Sequence, residues 1–281
     1  MSSSRYRAVK AYSNPAFLNS QDARPIRILA EYIEPETRLR EMQVRDTIVV
    51  FGSARIRSRE QALAELETAK ESGDEAKIKV AERQLFVSKY YEATRELSFR
   101  LTTWSKALEG TERRFVIASG GGPGIMEAAN RGASDAKGDN IGFNISLPFE
   151  QHDNPYITRR LSFEFHYFFM RKFWFSYLAK AVVIMPGGFG TLDEFLEVAT
   201  LVQTNKIKKP MSIVLFGKEY WSRVLNFEPM IEYGTISPND PDLFFMTDSV
   251  DEAYNHITGW LTENVLAREH EAEKKDKKDK G

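Results

Sequence analysis

Short apolar segments alternate with longer polar and charged stretches from residue 47 onward. Five of these segments are continuous apolar runs, as expected for strands covered on both faces. The stretches between them are rich in residues that favour helices. This order predicts strand–helix–strand units and so an α/β fold, an open parallel sheet with helices on both faces. The predicted strands are Thr47–Phe51, Phe115–Ala118, Ile141–Leu147, Ala181–Met185 and Met211–Phe216.

The amino-terminal third departs from this alternation in two places. Residues 1–44 contain three prolines among mixed charges, and we expect an arm or cap that packs on the main domain, residues 45–266. Residues 58–89 form a charged, helix-rich insert between the first two strands, which Ser72-Gly73-Asp74 breaks into a helical hairpin. The helix that continues from about Tyr91 through Leu108 is expected to make the first crossover.

The carboxyl-terminal end divides into a helix and a tail. Val250–Leu266 has the pattern of an amphipathic helix that closes the domain. Residues 267–281 are mostly charged and of low complexity, and we expect them to be disordered.

Composition excludes several classes of protein. The chain is 42% hydrophobic and 28% charged with a net charge of -1, which gives no reason to expect a nucleic acid or a membrane as partner. It has no cysteine, only four histidines and no paired-histidine motif, so we expect no disulfide and no bound metal. The first residues lack the apolar core of a secretory signal, and we expect a cytoplasmic protein.

Glycine-rich turns follow three of the predicted strands. Because the carboxyl ends of parallel strands share one edge of a sheet, these turns are expected to meet there. Glycine lets the backbone approach an anion closely, and the free N–H groups of the following helix then point at it. Thr191 adds a hydroxyl at such a helix start. The turns are Phe51-Gly52-Ser53-Ala54-Arg55, Ser119-Gly120-Gly121-Gly122-Pro123-Gly124 before Met126 and Glu127, and Pro186-Gly187-Gly188-Phe189-Gly190-Thr191.

Three such turns in one chain favour a nucleotide or phosphate site over turns that serve backbone geometry alone. None fits the dinucleotide pattern G-x-G-x-x-G with an acidic residue about 20 positions on, and none has the Gly-Lys-Ser/Thr of a Walker sequence. Redox cofactors and ATP hydrolysis are therefore not expected.

The segment PGGFGTLDE at 186–194 resembles the PGGxGTxxE signature of the Lonely Guy (LOG) family, long mislabelled as lysine decarboxylases. The resemblance extends over most of residues 45–265 and includes FGSAR at 51–55 and GGGPGIMEA at 120–128. It implies a Rossmann-like fold and phosphoribohydrolase activity on cytokinin ribotides, or on AMP and related nucleotides, without a cofactor.

The same resemblance implies roles for individual residues. Arg171 and Glu194 match the catalytic pair of the family, and Glu150 is the best match to a substrate-contacting glutamate. Many family members have a histidine two residues before the arginine, where this chain has Phe169. This departure, together with the arm, the charged insert and the length of the chain, indicates the longer branch of the family and weakens the expectation of a cytokinin base. The phosphate cradle is matched by Gly187, Gly188, Gly190 and Thr191, with Lys172 and Thr200 nearby in the pattern.

Simpler interpretations exist for several of these residues. Glu194 in the first turn of a helix can complement the helix dipole, Arg171 can form a surface ion pair, and Glu127 is either a ribose contact or a helix-terminal acid. The whole chain can also be a nucleotide sensor or scaffold without turnover. Lysine decarboxylation is disfavoured, because it normally needs a Schiff-base lysine for pyridoxal phosphate and the glycine turns contain none.

An aromatic run, Phe165-His166-Tyr167-Phe168-Phe169, leads into Arg171 and continues beyond it. Such a run is typical of a core or of an interface between subunits, and we expect a homodimer or a higher homo-oligomer. The sequence does not identify the base of the nucleotide.

Overall fold

Seven strands form one parallel sheet in the computed structural model, which describes residues 8–108, 110–146 and 154–279. The strand order is β4-β3-β2-β1-β5-β6-β7. Strands β2 to β4 are added on one side of β1, and β5 to β7 are then added on its other side. The connections that follow β1 and β5 therefore lead in opposite directions, which leaves a crevice at the carboxyl ends of these two strands. The strands are β1 (Thr47–Phe51), β2 (Val116–Ser119), β3 (Asn140–Ile145), β4 (Ser162–Phe165), β5 (Ala179–Ile184), β6 (Ser212–Phe216) and β7 (Phe245–Thr247).

Helices cover both faces of the sheet, and each face has its own apolar core. One core includes Leu39, Trp174, Phe195 and Trp221, and the other includes Leu97, Leu101, Ala128 and Ile257. The predicted α/β class with a Rossmann-like parallel sheet is confirmed. The helices are α1 (Pro15–Leu18), α2 (Arg24–Glu41), α3 (Arg59–Ser72), α4 (Glu75–Lys106), α5 (Ile125–Asp135), α6 (Phe168–Leu178), α7 (Phe189–Gln203), α8 (Lys218–Val224), α9 (Glu228–Glu232), α10 (Val250–Leu261) and α11 (Ala267–Asp279).

All five predicted strands are present, and none of their described ends differs from the prediction by more than two residues. Leu147, the predicted end of β3, lies outside the described residues. The sequence pattern missed β4 and β7, which are the two edges of the sheet. Both are short, and in β4 the polar residues Ser162 and Glu164 alternate with buried phenylalanines. An edge strand covered on one face lacks the continuous apolar run that reveals a central strand.

Helix α2, within the segment expected to form an arm or cap, packs against α6. The Glu31 carboxylate accepts hydrogen bonds from the backbone N–H groups of His166 (2.8 Å) and Tyr167 (3.2 Å), just before α6 begins. Trp174 on α6 donates its indole N–H to the Glu31 carbonyl at 3.0 Å. These bonds satisfy donors at a helix start and fix the orientation of α6.

The insert forms the expected helical hairpin of α3 and α4. Gly73 ends α3 in the left-handed conformation (φ 66°), and the Asp74 side chain caps α4. The crossover helix and the second helix of the insert are one element, because α4 continues for 32 residues through both segments. At 1.5 Å per residue it is about 48 Å long, far longer than a five-residue strand, so its amino-terminal half extends past the carboxyl edge of the sheet.

The predicted closing helix at Val250–Leu266 is α10 followed by one π-helical turn. The expectation of disorder from residue 267 is wrong for residues 267–279, which form α11. Ala, Glu and Lys favour helix, and Glu269 pairs with Arg45 (3.2 Å) and Arg114 (3.1 Å). Among the helices of the described ranges, none combines the length and apolar character that a membrane span requires.

Candidate active site

The three glycine turns meet at the carboxyl edge of the sheet and line one cleft of about 950 Å³. The Ser53 N–H donates to the Pro186 carbonyl at 3.1 Å, and the Ile125 N–H donates to the Ser53 carbonyl at 3.0 Å. The turns are therefore fixed to one another by the backbone. Of the predicted binding residues, those that line the cleft are Gly52, Ser53, Gly122, Met126, Gly187, Gly188, Gly190 and Thr191, together with Arg171 and Glu194.

Some glycines of the first two turns are needed because these turns pack closely against each other. A Cβ atom on Gly52 would lie 2.5 Å from the Ile125 side chain. A Cβ atom on Gly124, which has a φ of 71°, would lie 2.4 Å from the Ser53 carbonyl oxygen. Glycine at these positions lets the turns after β1 and β2 approach each other.

The third turn has the geometry of an anion cradle. Helix α7 begins at Phe189 without a side-chain cap, and Leu192 is the first residue to donate a hydrogen bond back, to Gly188 at 3.0 Å. The N–H groups of the preceding residues in the first turn are thus left without a backbone acceptor among the described residues. A Cβ atom on Gly188 or Gly190 would meet nothing within 4 Å, so the space above them is open. An anion can enter that space and accept from the free N–H groups.

Two side chains hold this turn from behind. Thr191 is buried and packs on Gly187, where an added Cβ would lie 2.1 Å from the threonine hydroxyl. Tyr220 on α8 donates its hydroxyl to the Gly187 carbonyl at 2.7 Å. The open glycines therefore lie on a rigid support.

Arg171 reaches the cleft from α6 along the carboxyl end of β3. Its Nε donates to the Phe143 carbonyl at 2.7 Å, and its guanidinium lies 5.1 Å from the centre of the Phe175 ring. A Cβ atom on Gly120 would lie 2.5 Å from its terminal nitrogen. Burial lowers the pKa of Arg171, and the charge of Glu194 raises it again. An arginine still carries its positive charge at neutral pH.

Glu194, on α7, faces the same cleft. Its carboxylate makes no ion pair within 4.0 Å and no hydrogen bond with the residues of the described ranges, although Arg171 is near enough to influence it. Burial raises the pKa of Glu194 to about 7, an effect that Arg171 opposes. The site therefore combines a fixed cation with a carboxyl group that changes charge near neutral pH.

Other residues predicted for the site lie elsewhere. Lys172 pairs with Asp193 (2.7 Å) and Glu197 (3.0 Å) on the side of α6 and α7 away from the cleft. The Thr200 hydroxyl donates to a carbonyl of its own helix at 2.7 Å, and Glu127 accepts a hydrogen bond from Tyr91 at 2.6 Å.

Gly121 and Glu150 are the remaining residues that the sequence predicted for the site. Gly121 is buried behind the turn, where an added Cβ would meet the Asn144 carboxamide. Its carbonyl accepts from Asn154 at 3.0 Å, so its role in this structure is to hold the turn. Glu150 lies outside the described residues.

Sequence reasoning missed a buried polar network beneath the second turn. The Ser119 hydroxyl donates to Asn130 at 2.6 Å, and Asn130 donates to Asn140 at 2.9 Å. Asn154 donates to Asn130 at 2.9 Å and to the carbonyls of the turn. Asn130, Asn140 and Asn154 each stand next to a charged or polar stretch in the sequence, so no local pattern indicates that their carboxamides are buried and paired.

The described residues of the cleft include no set of side chains that would hold a metal ion or pyridoxal phosphate. Across the described ranges, no group of three or more His, Asp or Glu side chains is arranged to bind a metal ion. No lysine is among the described residues that line the cleft. A Schiff-base decarboxylase would need one there.

A doubly covered parallel sheet, with glycine turns and a free helix start at its switch point, defines the Rossmann-like class of nucleotide-binding α/β proteins. Residues 126–257 match the sequence model of the family described as "Possible lysine decarboxylase". Curated relatives carry LOG names, so this part of the chain is similar to the LOG family.

Two of these relatives illustrate the range of similarity. The probable cytokinin riboside 5′-monophosphate phosphoribohydrolase LOG4 of Oryza sativa subsp. japonica is 25% identical over 150 residues, which cover 52% of this chain and 64% of the rice protein. The cytokinin riboside 5′-monophosphate phosphoribohydrolase LOG1 of Arabidopsis thaliana is 32% identical over 82 residues, covering 29% and 38%. The matches thus span less than two thirds of either relative.

Among solved structures, the Moco carrier protein from Chlamydomonas reinhardtii is 18% identical, with a TM-score of 0.45 over 78% of this chain and 99% of that one. The molybdenum cofactor binding protein from Rippkaea orientalis is 17% identical, with a TM-score of 0.41 over 61% and 86%.

Proposed function

We propose that this protein is a phosphoribohydrolase that cleaves the N-glycosidic bond of a nucleoside 5′-monophosphate. AMP or a related purine nucleotide, including a cytokinin ribotide, would give the free base and ribose 5-phosphate. The observation that carries the proposal is that Arg171 and Glu194 line the same cleft as the anion cradle at Gly188 and Gly190. The names of the LOG relatives state the same reaction class for those proteins.

The reaction places distinct demands on the two ends of the substrate. The 5′-phosphate binds the free N–H groups at the start of α7, and this remote contact holds the ribose in place. As the bond from C1′ to the base nitrogen breaks, the ribose gains oxocarbenium character and the base takes the electron pair. The oxygen of a water molecule then forms the new bond to C1′.

Glu194 and Arg171 stabilise the two developing charges in different ways. The ionised Glu194 carboxylate stabilises the developing cation and accepts a proton from the attacking water. The departing base nitrogen takes a proton from solvent and leaves as the neutral free base. The proton that Glu194 accepted from the attacking water returns to solvent, which regenerates the carboxylate. Arg171, held by the Phe143 carbonyl, supplies fixed positive charge that favours the build-up of negative charge on the leaving group.

The proposal is tested by incubating the purified protein with a panel of nucleoside 5′-monophosphates and separating the products by chromatography. We expect stoichiometric free base and ribose 5-phosphate from at least one purine nucleotide. Nucleotide binding by calorimetry without release of base from any member of the panel would instead identify a sensor or scaffold.

A further inference from the structure

The amino-terminal half of α4 forms a wall of the cleft. Gln84, Val87 and Tyr90 line the cleft at a spacing of three residues, which places them on one side of the helix. This half of α4 belongs to the part that extends past the sheet edge. It also precedes residue 126, where the match to the family begins.

Gln84 presents an uncommitted polar group on this wall. Its carboxamide oxygen is buried, and no residue in the described part of the chain donates a hydrogen bond to it. A buried carboxamide oxygen without a donor destabilises the structure, so a donor supplied by a ligand would be favoured at this position.

Three other polar side chains of the cleft already make hydrogen bonds within the protein. The Asn144 carboxamide donates to the Phe163 carbonyl at 3.1 Å, and the Tyr220 hydroxyl donates to the Gly187 carbonyl at 2.7 Å. The Ser53 hydroxyl accepts from the Arg55 backbone N–H at 3.1 Å. Gln84 is the lining residue whose buried carboxamide oxygen has no donor among the described residues.

We propose that Gln84 recognises the base of the bound nucleotide and selects purines that carry an exocyclic amine, as adenine does. A carboxamide offers one acceptor and two donors, and it pairs in bidentate fashion with the amine and an adjacent ring nitrogen of adenine. The phosphate is held at α7 and the scissile bond lies near Glu194, which leaves the α4 wall for the base. The inference rests on the proposed function and assigns the base specificity of the same cleft.

The test compares AMP with purine riboside 5′-monophosphate, in which hydrogen replaces the amine. For the unaltered protein, we expect kcat/KM to favour AMP by roughly ten- to a hundredfold, the range for one buried hydrogen bond. In Gln84→Leu and in the unbranched Gln84→Met, the two substrates should react within about threefold of each other, since the variant has no group that responds to the amine. Glu82→Leu, on an exposed position of the same helix, is the matched control and should keep the preference.

Thermal melting identifies which of the two Gln84 variants is folded. An unchanged AMP preference in either folded variant would overturn the proposal. If the unaltered protein hydrolyses neither of these two nucleotides, the same four proteins are compared by calorimetric Kd. The proposed function is then decided separately by the nucleotide panel. A binding preference for AMP that is lost only in the Gln84 variants would then support base recognition, and one that persists would refute it.

Discussion

At the scale of single residues, position on a helix decides which parts of a motif enter the cleft. Arg171 and Lys172 are adjacent in the sequence, but neighbours on a helix point about 100° apart, and Lys172 faces Asp193 and Glu197 instead. Thr200 follows Thr191 by nine residues, or two and a half turns, and so lies about 13 Å farther along α7. A sequence motif gives the spacing of residues but not the directions in which their side chains point from the helix.

Glu194→Gln is the sharpest residue-level test of catalysis. The amide is nearly isosteric, so the cleft keeps its shape, but it neither accepts a proton nor stabilises a cation with negative charge. We expect kcat for AMP to fall by about two to four orders of magnitude while the calorimetric Kd changes little. Asp193→Asn, on the exposed neighbour paired with Lys172, is the control and should keep its activity. Undiminished turnover by Glu194→Gln would show that Glu194 is not catalytic and only complements the dipole of α7.

The raised pKa of Glu194 predicts the pH dependence of the reaction. If the ionised carboxylate is the active form, kcat/KM should rise with pH and level off above about 7, the pKa of this group. The AMP phosphate also titrates near pH 6 and affects the pH dependence of kcat/KM. The residual kcat/KM of Glu194→Gln, measured over the same pH range, shows the part of this dependence that does not come from Glu194. A profile in the unaltered protein that matches the variant would contradict this assignment.

The same pKa affects stability with the opposite sense. Because the folded state raises the pKa from 4.5 to about 7, it binds this proton more tightly than the unfolded chain. The contribution is complete below about pH 4.5 and is lost as pH rises through 7. We therefore expect the melting temperature of Glu194→Gln to exceed that of the unaltered protein by more at pH 8 than at pH 5. An equal difference at both pH values would show that the carboxyl is not perturbed.

At the scale of elements, central strands and glycine turns were predictable, but edge strands and long-range partners were not. The five central and near-central strands are apolar on both faces, and the turns at Gly52, Gly122 and Gly188 follow directly from them. Tyr220 and Gln84 reach the cleft from elements distant in sequence, so no local pattern indicates them. The insert was visible as a hairpin, but its contribution to the cleft follows only from the uninterrupted length of α4.

Gly188→Ala tests the anion cradle as an element. The φ of Gly188 is -93°, and an added methyl group meets no atom within 4 Å, so the variant should fold normally. The methyl group would occupy the space of the phosphate, and we expect AMP affinity to fall roughly tenfold or more. Gly259→Ala, in α10 with the same open surroundings, should keep its affinity and gain about 0.5–1 kcal/mol of stability. Unchanged affinity in folded Gly188→Ala would place the phosphate elsewhere.

At the scale of the whole molecule, the domain depends on segments outside the sheet. Helix α2 holds the start of α6 through the Glu31 carboxylate. Helix α11 is held by the ion pairs of Glu269 with Arg45 and Arg114. Parts of the aromatic run remain exposed, with Phe168 at 54% and Phe169 at 51% of their surface accessible in the single chain. A homo-oligomer that covers them remains a prediction, because the aromatic patch has no cover among the described residues of one chain.

In the proposed reaction, the cleft anchors a 5′-phosphate and cleaves the bond at C1′ of the same molecule. The most direct measurement is kcat/KM for AMP and for adenosine, determined side by side from the release of free adenine. We predict that AMP reacts much faster, because adenosine has no group to fill the cradle at α7 and its ribose is therefore held less well against Glu194. Equal values for the two substrates, or release of adenine from neither, would contradict the account.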